Sequence, residues 1–95
     1  MRISRIVNKP IIINFPGFEN CPKDSLLFTT NLRKQQKVER EYKHIKSINP
    51  SQQFNTNCIN NSTQCIIIDT SHIGHAVVQR IKSKAATRAI KIAYL

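Results

Sequence analysis

The sequence predicts a mainly α-helical fold: a basic N-terminal arm, two principal helices near residues 26–48 and 73–95, and an extended polar loop between them. Three observations predict it. Apolar residues recur at helical spacing from Leu26 to Ile48 and again from Ile73 to Leu95. The period breaks at Asn49 and again at Asp69. The intervening stretch 49–64 is polar, almost uncharged and too poor in apolar residues to pack. The 95 residues make one domain, divided as an arm and extended segment over 1–25, a helix over 26–48, a loop with extended lead-in over 49–72, and a final helix over 73–95.

Each element has its local warrant. Arg2 to Lys9 is a basic arm that holds no acid, too short to support a transit-peptide argument. Pro10 ends any helix there, and Ile11-Ile12-Ile13-Asn14-Phe15 is a short extended run. Pro16-Gly17 signals a turn, and Asp24 or Ser25 offers an N-cap for a helix from Leu26. In that helix Leu27 or Phe28, Leu32, Val38, Tyr42, Ile45 and Ile48 make the apolar face. Arg33, Lys37 and Arg40 lead a basic outer face, with Glu39–Lys43 as an i,i+4 ion pair. Asn49-Pro50 stops it. Cys65-Ile66-Ile67-Ile68 is a second extended run, and Asp69-Thr70-Ser71 supplies N-cap chemistry for the last helix.

The last helix organises the chain. At about 100° per residue, Arg80, Lys84, Arg88 and Lys91 share one arc of about 80°. Val78, Ile81, Ala85, Ala89 and Ile92 fill the neighbouring arc, and Lys82 adds a fifth basic residue. No acid follows Asp69. The whole chain carries fifteen Lys and Arg against five Asp and Glu, a net charge of +10. That balance implies an anionic partner, with nucleic acid ahead of a membrane surface. No run approaches the roughly 20 apolar residues that a spanning helix needs, which argues against an integral membrane protein. An ordinary solvated basic face is the plain alternative for either helix.

Two constellations bear on chemistry. His72-Ile73-Gly74-His75 resembles the nucleotide-binding signature of class I aminoacyl-tRNA synthetases, placed after an apolar strand and opening a helix. A chain of 95 residues is too short for a doubly wound nucleotide domain plus an acceptor site, so synthetase-like catalysis is set aside. Cys21, Cys58 and Cys65, with His72 or His75 as fourth donor, form a set that zinc or an iron–sulfur cluster would accept. No CxxC pair is present, and three unrelated thiols in a reducing compartment is the plainer reading. The five carboxylates are scattered, with no pair set for acid–base work, and the chain is expected not to be an enzyme.

The segment Gln79-Arg80, Ala85, Arg88-Ala89, Ala93, Leu95 resembles the C-terminal helix of small-subunit ribosomal protein number eighteen of the bacterial and organellar type. Ile73-Gly74 is similar to that family's entry to the helix, Cys65-Ile66 to its lead-in, and Tyr42-Lys43-His44-Ile45 to the start of its preceding helix. Cys21-Pro22 is similar to its Cys-Pro-x-Cys element, although Asp24 stands at the second cysteine. The resemblance implies a small helical ribosomal protein that binds the central domain of small-subunit rRNA, pairs with small-subunit ribosomal protein number six and touches other ribosomal proteins. The basic faces predict RNA contacts by Arg80, Lys82, Lys84, Arg88 and Lys91, with Arg33, Lys37 and Arg40 as a second basic set, and the resemblance supports Arg80 and Arg88 among them. The resemblance also adds a motive for a shared metal at Cys21, Cys58 and Cys65. The divergence looks organellar, mitochondrial before plastid.

Overall fold

The structure, a computed structural model, describes residues 10–50, 58–60 and 62–95. It is not mainly helical. Five parallel strands form one sheet in the order β1-β5-β4-β2-β3. The strands are β1 (Ile11–Ile13), β2 (Ser25–Phe28), β3 (Ile45–Ile48), β4 (Cys65–Ile68) and β5 (Lys91–Tyr94). Two helices join them: α1 (Leu32–Glu41) between β2 and β3, and α2 (His75–Thr87) between β4 and β5. The basic arm, residues 2–9, lies outside the described residues, as do residues 51–57 of the polar loop.

The first expected helix divides into strand, helix and strand. Ser25–Phe28 is buried at every position, as a central parallel strand must be. Asn31, not Asp24 or Ser25, caps α1: its side chain accepts from the Lys34 amide at 3.1 Å. Tyr42 ends that helix, and Ile45–Ile48 then alternates as an edge strand does, with Ile45 buried and Lys46 exposed. Glu39 makes no helical pair with Lys43, which lies past the helix end. Its carboxylate instead accepts from the Ser47 amide and hydroxyl, both at 2.9 Å.

The second expected helix stops at Thr87. Ala89 takes φ 54°, the left-handed conformation that ends helices. The Ile90 amide donates to the Ala85 carbonyl at 3.0 Å and the Ala89 amide to the Ala86 carbonyl at 3.3 Å. This is the paired bonding of a Schellman stop, with Ile90 buried beside Ala85 and Ile81. The chain then turns into β5. The N-cap of α2 also differs from expectation: it is Gly74, without a side-chain bond, because Asp69 is turned inward.

The core has two faces. On one, Leu26, Phe28, Ile66, Ile68 and Ile92 pack against Ile81 and Ala85 of α2. On the other, Leu27, Ile67 and Ile45 pack against Val38 of α1. Right-handed crossovers that run in opposite directions from the centre of the sheet put their helices on opposite faces. Each face also receives one long connection. Phe15, Phe18 and Cys21 pack on the α1 face, and Ile59 and Cys58 on the α2 face. Ile59 is 1% exposed, so this part of the polar loop does pack. No helix among the described residues is long and apolar enough to cross a membrane.

The stop at Ala89 has a signed test. Glycine adopts left-handed φ without the roughly 1–2 kcal/mol penalty of an L-residue. Ala89→Gly should therefore stabilise the fold, by up to about 1 kcal/mol in urea denaturation. Were residue 89 inside a continuous helix, the same change would instead cost about 1 kcal/mol.

Candidate functional site

In an open sheet of this kind, the carboxyl ends of the two strands whose helices leave in opposite directions bound a crevice where ligands bind. Here those strands are β2 and β4. Asp69, the first residue past β4, stands there and is 1% exposed. Its Oδ2 accepts from Thr29 Oγ1 and Lys34 Nζ, each at 2.9 Å, and its Oδ1 from Ser71 Oγ at 2.7 Å. Burial pushes the carboxyl up, but the bonds from Ser71, Lys34 and Thr29 and the Lys34 charge outweigh it. They hold Asp69 at about 2, below its ordinary 3.8. The carboxylate is thus saturated and shielded. It clasps β2, α1 and the turn before α2 together, and has no open face for metal or substrate. This cluster escaped the sequence reading. Its only signal is the first charged residue after the apolar run Cys65–Ile68.

The histidine-containing tetrapeptide occupies the setting expected of it, after β4 and at the start of α2. Gly74 does not need to be glycine for conformation or space: nothing lies within 4 Å of where a Cβ would stand. His75 is exposed in the first turn of α2.

The eight basic residues expected at RNA fall on separate surfaces. Arg80 and Lys84 line one shallow groove on the outer side of α2, with Gln79, Ser83 and Thr87. Arg88 follows at the C-cap, exposed. Lys82 lies on the other flank of the helix, half-buried. Lys91 is not on α2 at all. It precedes Ile92 in β5, and Ile92 packs on the α2 face, so the alternation of the strand turns Lys91 toward the opposite face. Arg33, Lys37 and Arg40 are exposed along α1, across the sheet from α2. The expected four-residue arc therefore reduces to Arg80, Lys84 and Arg88.

The three cysteines do not come together. Cys21 packs with the α1-face cluster, and the β4 alternation puts Cys65 on that face with Ile67. Cys58 packs on the α2 face. Burial raises all three thiols, Cys21 to about 11, where Cys65 and Glu19 add to the rise. Among the described residues, no group of three or more His, Cys, Asp or Glu is arranged to hold a metal ion. The structure thus divides the cysteines between faces, Cys21 and Cys65 on the α1 face and Cys58 on the α2 face.

No protein-family model, curated protein or solved structure matches this chain.

The clasp sets an acid-side stability limit. Because the folded pKa of Asp69 lies below the unfolded value, its contribution is complete above about pH 4 and is lost as pH falls through about 2. The shift from 3.8 to about 2 corresponds to about 2 kcal/mol. Asp69→Asn should be less stable than the parent by about that much at pH 7. The gap should narrow between about pH 4 and 2 in urea titrations. A gap independent of pH would show that the carboxylate charge contributes nothing.

Proposed function

We propose that this chain is a nucleic-acid-binding domain, with structured RNA as the ligand, acting by binding rather than by catalysis. The observation that carries the reading is the outer side of α2, where Arg80 and Lys84 flank a groove also lined by Gln79, Ser83 and Thr87. No acid follows Asp69, and Asp69 is itself turned inward. Long cationic side chains beside amide and hydroxyl groups make phosphate and sugar contacts, which position a ligand without reading bases. RNA helices are recognised by such shape and backbone contacts. Ile81 and Ala85, on the apolar arc of α2, are fully buried against the chain's own sheet and leave no surface at those positions for a protein partner. This favours a free-standing binding module.

The narrower form of the proposal is a constituent of the small ribosomal subunit, mitochondrial before plastid, next to small-subunit ribosomal protein number six. It rests on the resemblance, whose positions Gln79 to Arg88 lie on α2 and its cap. Ala93, at the far end of that resemblance, is buried in β5 and offers RNA no contact. Cosedimentation of the chain with small subunits in high salt would support this form, and release in high salt would remove it.

RNA binding itself is tested by fluorescence anisotropy with a hairpin RNA across a salt series. The double change R80Q/K84Q should weaken binding to all hairpins and reduce the slope of log K against log salt by about one unit per lost contact or less. R33Q/K37Q/R40Q on α1 should leave the slope nearly unchanged. The reading fails if the α2 variant binds like the parent at every salt concentration.

A further inference from the structure

Two helices cannot cover both faces of five strands. On the α2 face, the amino ends of β2 and β3 are roofed, among the described residues, by the segment around Ile59. A cleft of about 510 Å³ remains there, within the range of small-molecule sites. Leu26 and Cys58 give it an apolar floor, and Ser62 and Thr63 contribute hydroxyls. Lys23, Lys43 and Lys46 all line it, against one carboxylate, Asp24.

The fold brings these lysines together from separate places. Lys23 and Lys43 stand in the turns that enter β2 and β3, and Lys46 is the exposed residue of β3 paired in register with Leu26. Backbone bonds hold the rim: the Gln64 amide donates to the Asp24 carbonyl at 3.1 Å, and the Ser25 amide to the His44 carbonyl at 3.4 Å. His44 is fixed as well, its Nε2–H donating to the Phe18 carbonyl at 2.9 Å. The Lys46 charge reaches into the cleft far enough to act on the Cys58 thiol. Three ammonium groups round one hollow repel each other, and a compact dianion relieves that repulsion. The apolar floor favours a ligand with a flat organic body behind its anionic head.

We propose that this cleft binds a phosphomonoester of the nucleotide class, its phosphate among Lys23, Lys43 and Lys46 and its base against Leu26 and Cys58. The site shares no residue with the α2 groove and does not depend on RNA binding there. The phosphomonoester has two sources, a free nucleotide or the 5′-phosphorylated end of an RNA strand.

Calorimetric titration of the full chain with AMP, adenosine, and a short RNA carrying either a 5′-phosphate or a 5′-hydroxyl tests this. AMP should bind and adenosine should not. K43Q/K46Q should lose affinity for AMP by at least about tenfold, since each charge-assisted bond to phosphate contributes on that scale. Both lysines are exposed, so the variant keeps the fold, which circular dichroism verifies. R80Q/K84Q should leave AMP affinity unchanged, which separates failure here from failure of the α2 reading. Tighter binding of the 5′-phosphorylated RNA than of AMP, lost with the 5′-hydroxyl form, assigns the cleft to an RNA end. Binding of AMP alone assigns it to a free nucleotide. Equal binding of AMP and adenosine, no AMP binding at millimolar concentration, or a K43Q/K46Q variant with parental affinity overturns the proposal.

Discussion

Every residue of β4 is 0% exposed, and β4 is the middle strand of five. A strand buried on both sides must be covered on both sides, and that demand shapes the rest of the chain. The helices have ten and thirteen residues, and each covers part of one face. The connections complete the cover: Phe15, Phe18 and Cys21 beneath, Ile59 and Cys58 above. The clasp follows from the same constraint. A chain that leaves a doubly buried strand on an aspartate must either expose it or surround it with donors. Thr29 from the adjacent strand, Lys34 from α1 and Ser71 from the next turn surround it. The clasp therefore both stabilises the fold and fixes which strand and helix ends meet.

The extended runs at Ile11–Ile13 and Cys65–Ile68 were legible, because consecutive β-branched residues in short runs favour strands. The strands on either side of α1 were not. Phe28 stands four residues before Leu32, Ile45 three after Tyr42 and Ile48 three after Ile45, which matches helical spacing. A fully buried strand has no alternation to set against that period, so a strand–helix–strand unit imitates one long helix. No glycine or proline lies between Asp24 and Ile48 to punctuate it. The same silence hid the stop at Ala89, where alanine occupies the position that glycine usually marks. Chain length also misled. A doubly wound nucleotide domain plus an acceptor site was judged too large for 95 residues, yet with strands of three or four residues a five-stranded parallel sheet with a helix on each face fits.

The sign of the electrostatics was legible and its geometry was not. A helical wheel assigns residues to one arc only while the helix lasts, and Lys91 passed to the other face once the helix ended at Thr87. Lys34, on the same helix as the exposed Arg33 and Lys37, is instead bound to Asp69. Lys23 joins Lys43 and Lys46 only through the parallel pairing of β2 with β3, which brings the two strand entrances side by side. Sequence spacing can group residues along an element. It cannot group residues that the sheet register brings together.

The charge balance also bears on stability. Asp69 is enclosed, and Glu39 is engaged with Ser47, so these acids do less than their count implies to offset fifteen Lys and Arg in the external field. A compact state with net charge +10 is destabilised by its own repulsion. The α1 and α2 surfaces lie on opposite faces, so the sheet separates these positive sets by its own thickness. Within each set like charges repel, and an anion bound there would relieve that repulsion. A polyanion that binds only the folded form stabilises it by mass action, about 2.7 kcal/mol at a hundredfold excess over Kd. Against the roughly 5–15 kcal/mol that holds a typical domain together, that is a substantial share. Under the proposed RNA binding at α2, the charges that lower the stability of the free chain are the ones a bound polyanion would neutralise, and binding and folding would be coupled through them.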